Sequence, residues 1–166
     1  HDPWPRHEIA SDWPGDVGAT VADINKDGRP DVLLSPAESA KGRLSWYEAP
    51  ADPENGKWME HVIDPHVDFI HTFKVADMNN NGELDVVTSE MEQSPQRRVC
   101  VYWNLGKGLK WRQQVIATNG SHNIRVADIN HDGYPDIIGA NHGNYGGPTP
   151  LEVWLNLPSP EPGADK

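Results

Sequence analysis

The chain has 166 residues, with 25 Asp and Glu against 14 Lys and Arg and a formal net charge of −11. That balance argues against nucleic acid or an anionic lipid surface as a partner and favours bound cations. No run of about 18 apolar residues suggests a membrane span, and the single cysteine, Cys100, excludes an internal disulfide.

The chain opens at His1 with neither a Met nor a charged and then apolar leader, so it reads as a mature chain or an excised segment. The first predicted element is a strand in "WPRHEI", residues 4–9, followed by the polar turn "SDWPGD", residues 11–16. "VADINKDGRPDVLL", residues 21–34, places a run of oxygen-bearing side chains between two apolar segments, and "LSWYE", residues 44–48, follows as a strand. The same order then recurs. "WMEHVI" (58–63), "VADMNNNGELDVVT" (75–88) and "RVCVYWN" (98–104) form a second round; "WRQQVI" (111–116), "VADINHDGYPDIIG" (126–139) and "EVWLN" (152–156) form a third.

The leading aspartates Asp23, Asp77 and Asp128 stand 54 and 51 residues apart, so residues 1–157 are three copies of one unit. The predicted strands are four to seven residues long, rich in β-branched and aromatic side chains, and bounded by Gly, Asn, Pro or Asp. Four strands in about fifty residues is the size of a β-propeller blade. The predicted fold is therefore all-β, with blade units at 11–63, 64–116 and 117–157, residues 1–10 as the outer strand of a neighbouring blade, and a Pro-rich tail at 158–166. The strand count of one, four, four and three leaves an open arc. Either the arc belongs to a propeller of six to eight blades in a longer chain, which the plain junctions favour, or two copies close a six-bladed ring. The Trp residues that recur in register are expected to pack between blades, and Cys100 is expected to be an inert buried thiol.

In "DINKDGRPD", positions 1, 3, 5 and 9 supply side-chain oxygens, position 7 a backbone carbonyl, and Gly at position 6 the sharp turn. Hard oxygen ligands in such number suit Ca²⁺. Asp, Asn and Gly also favour plain turns, but three in-register copies favour the metal. The bidentate Glu of an EF-hand is missing, since position 12 is Leu34, Thr88 or Gly139.

With these loops the chain resembles the FG-GAP or VCBS repeat family, known from integrin α-chain propellers and bacterial extracellular proteins. The resemblance implies a propeller with one Ca²⁺ per hairpin, up to three in all. It carries the ligands onto Asp23, Asn25, Asp27, Arg29 (carbonyl) and Asp31; Asp77, Asn79, Asn81, Glu83 (carbonyl) and Asp85; and Asp128, Asn130, Asp132, Tyr134 (carbonyl) and Asp136. The Phe-Gly that gives the family one name is absent ahead of the loops. The middle loop, with Asn81 in place of a carboxylate, should bind most weakly.

The blade ends opposite the loops should carry the ligand site. Strand direction brings His71 toward Glu90; His122, Asn123 and Arg125 toward Asn141 and His142; and Asp16 toward Glu38, all at one mouth of a central channel. A His beside Glu and Arg suits proton abstraction next to a uronate carboxylate, so His71, Glu90, His122 and Arg125 are the catalytic candidates, weighed against plain strand capping. Trp13, Asp16, Asn123, Asn141 and His142 are the ligand-binding candidates. Trp13 has no Trp counterpart in the other units and could stack on a sugar ring or plug against Pro14. The resulting expectation is a calcium-binding extracellular or periplasmic module that binds carbohydrate or protein and is not itself an enzyme. The alternatives are the propeller of a polysaccharide lyase or sugar dehydratase, and a structural scaffold. Nucleic acid and membrane insertion are not expected; the further partner is the remainder of a longer propeller chain or, alternatively, a second copy, and two His with a carboxylate could hold a transition metal only with ligands from different blades.

Overall fold

The computed structural model describes residues 4–13, 15–141 and 150–157. Pro14, His142 and the tail, on which some of the sequence expectations fall, lie outside the described residues. The described residues hold three antiparallel sheets and no helix. Blade 1 runs β1 (Val17–Ala22), β2 (Asp31–Pro36), β3 (Gly42–Glu48) and β4 (Met59–Val67), in that order across the sheet. Blade 2 repeats it with β5 (Thr72–Ala76), β6 (Asp85–Ser89), β7 (Val99–Asn104) and β8 (Trp111–Ala117). Blade 3 has β9 (Asn123–Ala127), β10 (Asp136–Ala140) and β11 (Leu151–Trp154).

The expected all-β, blade-repeat fold is what the chain forms. Two details differ from the sequence reading. The outer strands continue past the "W..H.I" motif, to Val67 and Ala117, so the blade junctions fall at 68–71 and 118–122 instead of after 63 and 116. A register shift at Gly42 and Leu44 lets β4 bend and pair Gly42 with Val67, and spacing alone carries no sign of such a bulge. Residues 4–10 form no strand within this single chain.

Strand alternation decides which blade each side chain meets. In blade 2, Val86, Cys100 and Tyr102 face blade 1 and join Ile24, Leu33, Leu44, Trp46, Ile70 and Phe73 in one core. Val87, Val99 and Val101 face the other way and meet Ile124 and Ile137 of blade 3. Every residue of β6 is therefore buried, which explains why "DVVTS" does not alternate polar and apolar. Cys100 lies inside this packing, where burial pushes its thiol up to about 12, so it is an inert core residue as the sequence suggested.

The tryptophans divide. Trp46 is fully buried and donates its indole N–H to the Gly108 carbonyl at 3.0 Å, the same oxygen that takes the Trp111 N–H at 2.8 Å. A Cβ on Gly108 would sit 2.6 Å from Ile24 and 2.8 Å from the Trp46 ring, and its φ of +68° suits glycine, so this turn is shaped to let blade 2 close on blade 1. Trp103 and Trp154 pack on the second core. Trp4, by contrast, is 91% exposed. Accordingly, Trp46→Ala should cost about 3–5 kcal/mol, and Trp58→Ala, half-buried just ahead of β4, less than about 1 kcal/mol; urea unfolding of both variants reads the difference.

Candidate functional site

The three loops share one geometry. In the first, the two Asp23 carboxylate oxygens accept the Asp27 N–H at 3.0 Å and the Gly28 N–H at 2.9 Å, while Asn25 Oδ1 accepts the Asp27 N–H at 3.1 Å and Asp27 Oδ1 the Arg29 N–H at 2.9 Å. The second loop repeats this through Asp77, Asn79 and Asn81, and the third through Asp128, Asn130 and Asp132. Lys26, Asn80 and His131 take φ of 60°, 58° and 62° at the same position, and Gly28, Gly82 and Gly133 follow at 86°, 86° and 90°. Each run curls so that oxygens at positions 1, 3 and 5 gather on the backbone amides of positions 5 to 7. Those donors are hard, and they fit a calcium-sized cation better than a thiophilic metal. Among the described residues no three His, Cys, Asp or Glu side chains group closely enough to hold a metal alone, so amide and carbonyl oxygens would have to complete the shell.

Position 9 has a second task. Asp31 is fully buried, and its two oxygens accept the Ile24 N–H and the Ala49 N–H, each at 2.9 Å. Asp85 does the same with Met78 and Asn104, and Asp136 with Ile129 and Asn156. Each carboxylate thus ties the loop to the end of the third strand. Of the position-9 residues, burial pushes Asp31 above the usual carboxylate range and Asp85 up to about 6.

At the opposite ends of the blades, His71 and His122 lie ring against ring, with centroids 4.2 Å apart and planes tilted by 54°. They occupy the residues just ahead of β5 and β9. Glu38, which strand direction had set beside Asp16, reaches His71 Nδ1 at 3.9 Å from the preceding blade. Asn123 Oδ1 accepts the Thr72 hydroxyl at 3.2 Å, and Asn141 Oδ1 accepts the His122 N–H at 2.9 Å, so the structure brings His71, His122, Asn123 and Asn141 together as the sequence suggested. Deeper along the strands, Lys74 is lowered by burial and then by the charge of Arg125, whose own guanidinium donates to the Ile124 carbonyl. This rim is a polar cluster with cations beneath it.

The sequence matches the FG-GAP-like repeat family over residues 23–88 and 89–139, a span that holds all three loops. The chain belongs to that family. No curated protein matches it. As an FG-GAP-like chain it departs from the sequence expectation at two candidate residues. Glu90 is only 2% exposed and its carboxylate is taken by other partners: its Oε1 takes the Arg98 Nε–H at 2.8 Å, and its Oε2 takes the Ser94 hydroxyl at 2.7 Å and the Arg98 N–H at 3.0 Å. The pairing of β5 with β6 runs to Thr72 opposite Ser89, one residue short of His71 and Glu90, and Arg98 takes the carboxylate. Trp13, expected at the mouth, lies on β3: its N–H donates to Tyr47 Oη at 2.9 Å and the Arg43 guanidinium covers its ring at 4.4 Å. Asp16 is exposed and uses its backbone carbonyl to hold the Ala37 N–H at 2.9 Å.

Sequence reasoning missed Arg98 and Arg43, because each partner is set by a fold-back that no local spacing reveals. Two predictions follow from the geometry. Arg98→Ala should destabilise the chain by about 3–5 kcal/mol by stranding the Glu90 carboxylate in the core, a loss visible in thermal unfolding at neutral pH. Asp85 holds its proton more tightly folded than unfolded, so its contribution to stability is complete below 3.8 and is lost as pH rises through about 6 in metal-free protein. A carbon-detected NMR titration should place its midpoint near 6, and a midpoint near 3.8 would contradict the burial argument.

Proposed function

We propose that this FG-GAP-like chain is a calcium-binding propeller module of an extracellular protein and that its rim binds an acidic carbohydrate. The observation that carries the calcium reading is the threefold repetition of one oxygen-lined loop, down to the same backbone angles at positions 4 and 6. A turn needs no such repetition, because many sequences close a hairpin. Asp23 with Asp27, and Asp128 with Asp132, set two carboxylates in one tight loop, charge that suits a divalent cation, with Arg29 paired to Asp27 in the first. In the middle loop Asn81 replaces one of these carboxylates, and Lys26 reaches across to Glu83 at 2.8 Å, so that loop needs the ion least and holds it least. The net charge of −11 fits a chain that works with cations bound. Extracellular calcium is abundant enough to fill loops of modest affinity.

The rim supports binding more than catalysis. His71, His122 and Asn123 offer hydrogen-bonding groups, and Lys74 and Arg125 beneath them offer positive charge suited to a uronate carboxylate. In a lyase or dehydratase the His pair would act as base, with Glu38 3.9 Å from His71 Nδ1; the carboxylate expected beside it, Glu90, is committed to Arg98, which weakens that reading.

Calcium should raise the thermal midpoint of the chain, and chelator should lower it, by several degrees or more. In calorimetric titration Asp23→Ala and Asp128→Ala should each remove one of the tighter sites, whereas Asp77→Ala should remove the weakest. If calcium leaves both stability and heat unchanged, the loops are plain turns. For the rim, His71→Ala with Lys74→Ala should abolish retention on an acidic-glycan array while leaving the calcium-dependent midpoint in place; an unchanged array signal would remove the rim from the binding site.

A further inference from the structure

The two internal joints show what each blade face is built to meet; the outward face of blade 3 leaves those same positions uncovered, while on that of blade 1 Ser45 and Tyr47 are buried and Val21 is open. Ile24 and Met78, second in the first two loops, are 0% and 1% exposed between blades, whereas Ile129, second in the third loop, is 48% exposed. Leu44 and Val99 are fully buried, yet Leu151 at the same place in blade 3 is 76% exposed; Trp46 and Val101 are at most 2% exposed, yet their counterpart Val153 is 46% exposed. On the outward face of blade 1, Val21 is 60% exposed.

A strand is uncovered as well. Among the described residues nothing pairs with the outer edge of β11, and blade 3 has three strands where the others have four. A groove of about 770 Å³ lies along that edge, lined by Val101, Trp103, Ile116, Ile137, Trp154 and Leu155. The segment "WPRHEI", residues 4–9, repeats the outer strands "WMEHVI" and "WRQQVI", with Trp4 fully in solvent and no strand of its own. Its Trp4 precedes Asp23 by 19 residues, as Trp58 precedes Asp77. Trp13, held on β3 by Arg43 and Tyr47, leads that segment off the outward face of blade 1, beside the place where the outer strand of a preceding blade would run.

We propose that two copies of this chain close a six-bladed ring, residues 4–9 of each adding to the free edge of β11 in the other, with Trp4 entering the groove between blades 2 and 3. The outward faces of blades 1 and 3 then bury each other at two equivalent joints, and the rim of histidines becomes part of a complete channel mouth. These joints differ from the internal ones in one respect. Ser35 and Ser89 bridge to the next blade through the Ile70 and Ser121 carbonyls, and Asn156 bridges back to the Met78 carbonyl at 2.6 Å. The outward faces carry Ala140 in the place of the serines and Ala49 in the place of the asparagine. The joint between copies rests on strand pairing and apolar contact alone, so association is reversible.

Sedimentation of the full chain in calcium tests this. The expected species is a dimer of twice 18.4 kDa. Trp4→Ala and the pair Leu151→Lys with Val153→Lys change only side chains exposed in the single chain, so the fold survives, and each should raise the dissociation constant by about tenfold or more. A chain with both lysines on blade 3 mixed with a chain carrying Val21→Lys on blade 1 should recover a dimer, because one joint of the two stays intact. A monomer at tens of micromolar, or a dimer indifferent to Trp4→Ala and to the blade 3 lysines, would overturn the proposal. Repeating the run with chelator separates it from the calcium reading: a dimer without calcium binding, or calcium binding without a dimer, leaves one of the two standing.

Discussion

Everything in this chain is arranged around a buried aspartate that recurs once per blade. Asp31, Asp85 and Asp136 each accept one backbone N–H from the loop behind them and one from the end of the third strand. A carboxylate in the core is costly unless its oxygens are satisfied, and only one arrangement of loop and strand satisfies both. The interaction therefore fixes three things together: where the loop ends, which residue begins the second strand, and where the third strand stops. Because the first residue of β2, β6 and β10 is set in this way, alternation along each of those strands follows, and with it the choice of which side chains meet the next blade.

The loops and the blade joints are consequently coupled. Lys26 of the first loop reaches Glu83 of the second, and Asn80 of the second donates to the Gly133 carbonyl of the third at 2.9 Å. The position-4 residue of one loop holds the next loop, so ordering one loop orders its neighbour. Asn104 and Asn156 tie the end of a third strand to the preceding loop. A cation that stiffened one loop would thus act on the stacking of blades as well as on its own hairpin. At the far end the blades are joined by hydroxyls: Ser35 to the Ile70 carbonyl, Ser89 to the Ser121 carbonyl, and Thr72 to His122 and Asn123.

Repetition made the architecture legible. Three gapless copies of a loop flanked by apolar residues gave the unit length, the all-β class and the candidate cation ligands, because each copy independently supports the same reading. The proximity of His71 to His122 was also accessible, since strand direction puts equivalent positions of neighbouring blades at the same end. Legibility failed where a side chain had two faces or two partners to choose from. Glu90 directly follows β6 as His71 directly precedes β5, yet its carboxylate went to Arg98, eight residues away around a turn. Trp13 looked unpaired because its repeat counterparts are Val67 and Thr118, and its partner Arg43 lies thirty residues on, in a strand that folds back beneath it. Asp31, expected from spacing as a cation ligand, also accepts two backbone amides, a second role that a one-dimensional pattern of oxygens does not reveal.

The sequence by itself determined the local chemistry: a period of just over fifty residues, strands of the right length, a glycine at each sharp turn, and oxygen donors at fixed spacing. These follow from short-range sterics and hydrogen bonding, which a dozen consecutive residues specify. Only the tertiary structure decided which face of each blade is covered, which carboxylates are committed to the core, and that Ile129, Leu151 and Val153 remain open where their counterparts are buried. Those outcomes depend on neighbours fifty residues away, and burial is a property of the neighbour as much as of the residue.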